Sequence, residues 1–319
     1  MNGSATRSDP VGRAEFEASV QQALAGCPRP IEGIHGPGSV SWRLGRESIL
    51  FLGGGAASLL QLAHPFVAHA IDHHSETQRD PVGRFNRTFQ HVYAMVFGRL
   101  EDAQASALRV RAIHERITGE LEEDLGGWHR GERYYANDPD ALLWVHATLV
   151  HTSVQVYELC VEPLSASDKE LYWLESKRFA RLFGVPDRIL PATWSDFLAY
   201  WDRTVASLAV GRAAKEIARF LLSAPRPSAV PVMRAYRIVT AGLLPQRLRA
   251  PYSLRYEMSD RLVFQAFCAS LGMAYRRLPR RLRDVPAFVE AWSRLEGDAH
   301  PDRFGRALER TVLRIVQPA

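Results

Sequence analysis

Lysine is nearly missing from this 319-residue chain: Lys169, Lys177 and Lys215 are the only three, so the formal charge of +5 and the pI near 9.3 rest on arginine. Codon composition alone produces such a bias, and basicity is therefore no argument for a nucleic-acid partner. Cysteine is scarce as well. Cys27, Cys160 and Cys268 lie far apart with no Cys-x-x-Cys run, which disfavours a disulfide framework, a structural zinc site and cofactor attachment through paired thiols. Strand-like alternation is rare and no internal repeat is present, so the fold class reads as all-α. Met1 to Val11 lack the apolar segment of a secretory signal, and the expected location is cytoplasmic. Charge is absent from Ser48 to Ile71, a length that would span a bilayer. Gly53, Gly54, Gly55, Gln61, His64, Pro65 and His69 interrupt it, however, and the stretch reads as a broken core helix with no transmembrane segment. With 46% hydrophobic and 24% charged residues, the chain can bury a substantial core.

Helical periodicity fills most of the rest. A helix is expected over Arg13 to Ala25, followed by a Gly/Pro-rich connector from Gly26 to Gly45. Residues 1–35 thus form an N-terminal extension with one helix, and residues 36–319 a single helical domain. Asp80 as N-cap and Pro81 in the first turn open a helix that closes at Gly98; a second runs from about Glu101 to Thr118 and stops at Gly119. An irregular acidic loop to Gly131 leads to a long helix begun by Asp138 and Pro139. Further helices are expected at Ser167 to Phe183, Ser195 to Val210, Arg212 to Ser223, Val232 to Leu243, Asp260 to Arg277, Pro286 to Leu295 and Asp302 to Val316. Ser223 to Pro231 is Pro-rich and resembles a linker.

The hairpin from Asp80 to Gly119 carries the most unusual chemistry. Arg84, Arg87, Thr88 and His91 recur at i, i+3, i+4, i+7, so one helix face holds two cations, a hydroxyl and an imidazole. On the partner helix Val110, Ile113, His114 and Ile117 share a face. Counted outward from the turn, Arg84 and His114 come to the same level. Periodicity alone leaves His114 open between a core histidine bonded to a carbonyl and a ligand. His69 and His73 stand at i, i+4, which suits a helical metal pair, but no Glu accompanies them as in His-Glu-x-x-His, and non-haem metal is disfavoured. The arginines at 276, 277, 280, 281 and 283 read as a solvated face, with an acidic surface or membrane headgroups as the alternative.

Six collinear stretches add a resemblance: PGSVSWRLGRES (Pro37 to Ser48), LLQLAHPFVAHAIDHHS (Leu59 to Ser75), RFNRTFQHVYAMVFG (Arg84 to Gly98), VRAIHERITG (Val110 to Gly119), YYANDPDALLWVHATLV (Tyr134 to Val150) and LLPQRLRAPYSLRY (Leu243 to Tyr256). From Gly36 to beyond Leu248 the chain resembles the oxygenase family of the latex-clearing proteins and the mycophenolic-acid chain-cleaving oxygenase. The resemblance implies an all-α, single globin-like helical domain with additional helices, binding haem b (iron protoporphyrin IX). By position it makes His114 the proximal iron ligand and places Arg84 and Thr88 on the other face, Arg84 either pairing with a propionate or donating to bound oxygen. Two positions depart from the family. Arg87 stands where the latex-clearing proteins have lysine, and an arginine that stays protonated is a poor iron ligand. Ala68, His69 and Ala70 replace a glutamate proposed as base, so a base there would be His69, and rubber cleavage itself is not implied. The implied function is a haem-dependent oxygenase or oxidoreductase acting on a small hydrophobic substrate with O2 or peroxide. A non-catalytic haem sensor or carrier is the alternative, and a helical partner-binding protein without cofactor a third.

Overall fold

The computed structural model describes residues 9–27, 29–75, 81–224, 226–298 and 300–316. The chain is 70% helix and 3% strand, with sixteen helices among the described residues, which makes it all-α. In chain order these are α1 (Arg13–Leu24), α2 (Val40–Gly45), α3 (Gly54–Leu62), α4 (Pro65–His74), α5 (Pro81–Phe97), α6 (Leu100–His114), α7 (Pro139–Cys160) and α8 (Ala166–Phe183). They continue with α9 (Trp194–Ser207), α10 (Arg212–Leu221), α11 (Val230–Leu243), α12 (Gln246–Arg249), α13 (Met258–Arg277), α14 (Arg280–Arg283), α15 (Pro286–Leu295) and α16 (Arg303–Val316).

Local chemistry sets most boundaries. The Asp138 carboxylate accepts from Ala141 N–H at 2.8 Å and Pro139 sits in the first turn, so α7 starts there. Ser165 with Asp168, and Thr193 with Asp196, form capping boxes on α8 and α9. Gly184 ends α8 in the left-handed region at φ 98°. The uncharged stretch is broken as expected: a 3-10 turn at Ser48–Gly53 runs into α3, and α4 then turns away from that pair by 101° at the break before Pro65. No single helix among the described residues is long and apolar enough to cross a membrane.

The largest core cluster is built around α7, which packs on the 3-10 turn, α3 and α13. Trp144 donates its indole N–H to Leu60 O at 2.8 Å, so this buried ring leaves no polar atom unpaired. Gly55 lets α3 approach α11, since a Cβ there would stand 2.4 Å from Thr240 Oγ1. A second cluster joins α1, α5, α6 and α8 through Phe16, Val20, Met95, Ala103, Ala107 and Phe179. The buried Glu47 carboxylate ties the C-terminal helices to the body. It accepts from Arg283 at 2.8 and 3.1 Å, from Arg280 at 2.9 Å and from the Tyr275 hydroxyl at 2.9 Å.

The expected helices match within three residues except one. α6 ends at His114 and not near Thr118, because Thr118–Glu120 pairs antiparallel with Arg133–Tyr135, Thr118 opposite Tyr135. We name these strands β1 and β2; they lie at the two ends of what reads in the sequence as an irregular loop. The expected stripe Val110, Ile113, His114 and Ile117 does not hold as one face: Val110 joins the second core, Ile117 packs with Phe66 and Tyr134, and Ile113 is 52% exposed. Asp80, the expected N-cap of α5, lies outside the described residues.

Candidate cofactor-binding site

One bond sets the register of the α5–α6 hairpin. His91 Nδ1–H donates to Ser106 Oγ at 2.7 Å, and that hydroxyl donates to His91 O at 3.3 Å. Seven residues before His91 is Arg84, on the same helix face; eight after Ser106 is His114. Both therefore lie about two turns, roughly 11 Å, from this clamp and at the same end of the hairpin. Ile113 stands seven residues after Ser106 and so shares its direction toward α5, yet it is 52% exposed. Thr88 and Arg87 are exposed at this end too. The two helices thus leave a strip of apolar and hydroxyl surface uncovered between them.

His114 is the last residue of α6, half-buried, with its ring edge-on to Phe183 of α8 at 5.8 Å. Burial, with the Arg111 cation adding to it, lowers its pKa to about 4. At neutral pH it is a neutral imidazole with a free lone pair, and neither ring nitrogen bonds to the protein among the described residues. Arg84 is half-buried; burial first and the neighbouring Arg87 cation second lower its pKa, and it has no acidic partner among the described residues. Arg111, one turn before His114, bonds through Nε to Glu115 at 3.0 Å and through Nη2 to Val11 O at 2.7 Å, while its buried Nη1 donates to nothing. Sequence reasoning missed Arg111, although its i−3 spacing from His114 was the available signal.

The other histidines are held by hydrogen bonds or by packed rings, and His35, His146 and His151 also keep a buried Nδ1 without a partner among the described residues. His69 donates from Nδ1 to Pro65 O at 2.9 Å and accepts at Nε2 from Glu122 N–H at 3.4 Å. His73 accepts at Nδ1 from the Tyr134 hydroxyl at 2.9 Å and donates from Nε2 to Glu122 at 3.1 Å. His74 donates to Thr118 O at 3.1 Å. Together they bind the end of α4 to β1 and β2, four residues along the chain from His114 at Thr118. Gly119 belongs to this corner, because a Cβ there would meet the Tyr134 hydroxyl at 2.5 Å. His146 lies between Trp173 and Phe179, and His151 stacks flat on Trp201 at 3.7 Å, so rings already occupy the space beside both. His35 is half-buried beside the Arg178 cation.

No group of three or more His, Cys, Asp or Glu with metal-binding geometry occurs among the described residues. One cavity of about 390 Å³ is lined by Glu122, Glu123, Arg130 and Arg212, and another of about 390 Å³ lies among Trp42, Arg43, Asp168 and Trp292. Neither borders His114 or Arg84.

Architecture and sequence describe an all-α protein whose α5–α6 hairpin carries the imidazole of His114 and the guanidinium groups of Arg84 and Arg111. The chain belongs to the family described as ER-bound oxygenase mpaB/B'/Rubber oxygenase, catalytic domain, which it matches over residues 42–273. Its members are haem-dependent oxygenases in general. Two mycobacterial relatives are similar at 23% identity over 230 residues, 70% of this chain and 88% of theirs: Uncharacterized protein Mb2261 of Mycobacterium bovis and Uncharacterized protein Rv2237 of Mycobacterium tuberculosis. No solved structure matches the chain.

Proposed function

We propose that this chain is a haem b-dependent oxygenase with a globin-like core, acting on a hydrophobic organic substrate with O2 or peroxide, and that His114 is the protein ligand of the iron. The observation that carries the proposal is the neutral imidazole of His114, without a protein hydrogen bond among the described residues, on the same hairpin as the half-buried Arg84 and as Arg111, whose buried Nη1 has no partner. Haem needs a neutral nitrogen on its axis and cations for its two carboxylates, and these residues fit both demands.

When bound, the haem supplies the one-electron and oxygen chemistry. The chain supplies the rest. His114 presents a ring nitrogen without first losing a proton, since its pKa near 4 keeps it neutral. The guanidinium of Arg84 loses water on burial and regains favourable interaction only with an anion, which orients a carboxylate toward α5. Arg111 Nη1 offers a second such donor on α6. The exposed Thr88 hydroxyl would be available to donate or accept a hydrogen bond to a bound ligand. Arg87 offers donors and no acceptor. His69 donates from Nδ1 to Pro65 O and accepts at Nε2 from Glu122 N–H, so both ring nitrogens are engaged. Phe66, Leu121, Ile117 and Trp128 form an apolar cluster between the start of α4 and the segment that follows His114, which supports an apolar substrate such as an isoprenoid or a related skeleton.

The test is an absorption spectrum of the purified protein with haem supplied, followed by O2 uptake against a panel of apolar alkenes and aromatics. A Soret band at one haem per chain and uptake that saturates with one substrate class are expected. Haem binding without oxidation of any of them would replace the oxygenase by a sensor or carrier. Absence of haem binding would overturn the proposal altogether.

A further inference from the structure

Charge is divided unevenly along this chain. From Arg226 to Arg283 there are twelve arginines, no lysine and two carboxylates, Glu257 and Asp260, a formal +10 inside a total of +5; the remaining residues therefore carry −5. α13 runs through the middle of this segment. Its 20 residues, about 30 Å of helix, are buried along one stripe only, Phe264, Cys268, Gly272 and Tyr275. The opposite side is apolar and uncovered, with Leu262 60%, Val263 51%, Phe267 38% and Met273 50% exposed. Arg276 and Arg277 end the helix and Arg280 and Arg281 follow it on α14, all four exposed, with the exposed Leu278 and Leu282 between and after them. The bonds from Glu47 to Arg283, Arg280 and Tyr275 hold this face in place.

We infer that the outer face of α13 with α14 is a docking surface for an anionic lipid bilayer, the helix lying in the plane of the interface. The chemistry selects this occupant. Apolar side chains of this size sink into the acyl boundary while arginines at the helix end meet phosphates and keep their stems in apolar surroundings. Nucleic acid would satisfy the arginines but leave Leu262, Val263 and Met273 against water and phosphate. A second copy related by a two-fold axis would set the same arginines against themselves. The inference is independent of which substrate the hairpin site oxidises.

Sedimentation of the full chain with vesicles tests it, using phosphatidylcholine alone and phosphatidylcholine with about 30% phosphatidylglycerol. The chain is expected to bind the anionic vesicles about a hundredfold more strongly than the neutral ones at about 0.1 M salt, and to lose that preference at about 1 M. Arg277→Gln and Arg281→Gln together should cost about thirtyfold. Leu262→Ser, Val263→Ser and Met273→Ser together should cost at least about tenfold with helical circular dichroism unchanged. Equal binding to both vesicles, or none, overturns the inference. So does unchanged binding by the triple serine variant, which would leave a polyanion site. A parent that is dimeric in solution, with the triple serine variant monomeric and still vesicle-bound, would assign the apolar face to a second copy and likewise overturn it. If the variants fail to fold, the lipid and salt dependence of the parent still decides.

Discussion

Two histidine-bearing regions of this molecule treat their polar groups in opposite ways. At the end of α4, His69, His73 and His74 pair with Pro65 O, Glu122, Tyr134 and Thr118 O, and Arg212 closes the set with an ion pair to Glu122 at 2.5 Å. At the open end of the α5–α6 hairpin, His114 has no protein hydrogen bond among the described residues, Arg84 has no counter-charge there and Arg111 keeps a buried donor unused. Unpaired polar groups cost free energy, whereas satisfied ones cost little. The corner at α4 is satisfied within the protein, and the hairpin end is where the proposed haem would repay the cost.

The largest effect expected from this contrast is on stability. His69→Ala removes a ring that is 2% exposed and leaves Glu122 N–H and Pro65 O without their partner, and should cost about 3 kcal/mol in urea unfolding. Haem affinity should stay unchanged; a parallel loss of haem would join the two regions and break the contrast. Arg84→Ala should do the reverse. It removes a desolvated cation without a partner, so stability should hold or rise, while haem dissociation speeds by about tenfold. Arg87→Ala, at an exposed position, should change dissociation far less, and equal effects from the two would refute the assignment of Arg84.

Acid sharpens the same distinction. Folding lowers the pKa of His114 and His151 to about 4 and of His35 and His146 to about 3, each by burial. In the unfolded chain these groups bind protons near pH 6.5. The unfolded state thus takes up more protons as pH falls from 6.5, and stability present above that pH is lost down through about 4. The urea midpoint should fall over this window, whereas haem retention should hold until pH approaches 4, where His114 itself protonates. The smallest effect is Thr88→Val, which keeps shape and removes the hydroxyl: a change of about threefold in autoxidation rate with unchanged stability is expected.

Helices capped by Asp138, Ser165 and Thr193, and the stop at Gly184, were legible because each boundary is written in neighbouring residues. The end of α6 was not. Thr118 continues a helical pattern locally, and only pairing with Tyr135, seventeen positions on, makes it a strand. The positions of Arg84 and His114 at one level followed from helical rise alone, but the exposure of Ile113 depends on how α5 and α6 separate, which periodicity does not encode. His69 reads identically as base or brace until Glu122 N–H is seen beside it. The exposed apolar side of α13 was hidden for the same reason: an apolar helix face announces burial, and only the packed body shows which side is covered.

The central claim is that the unspent imidazole of His114 holds the haem iron. Haem titration of the parent and His114→Ala, followed by Soret absorbance and circular dichroism, tests it most directly. The parent should bind one haem per chain, and the variant should lose it or hold it weakly with an altered spectrum that added imidazole restores, both with the same helical signal. A His114→Ala protein with the parent's spectrum, stoichiometry and affinity would contradict the account.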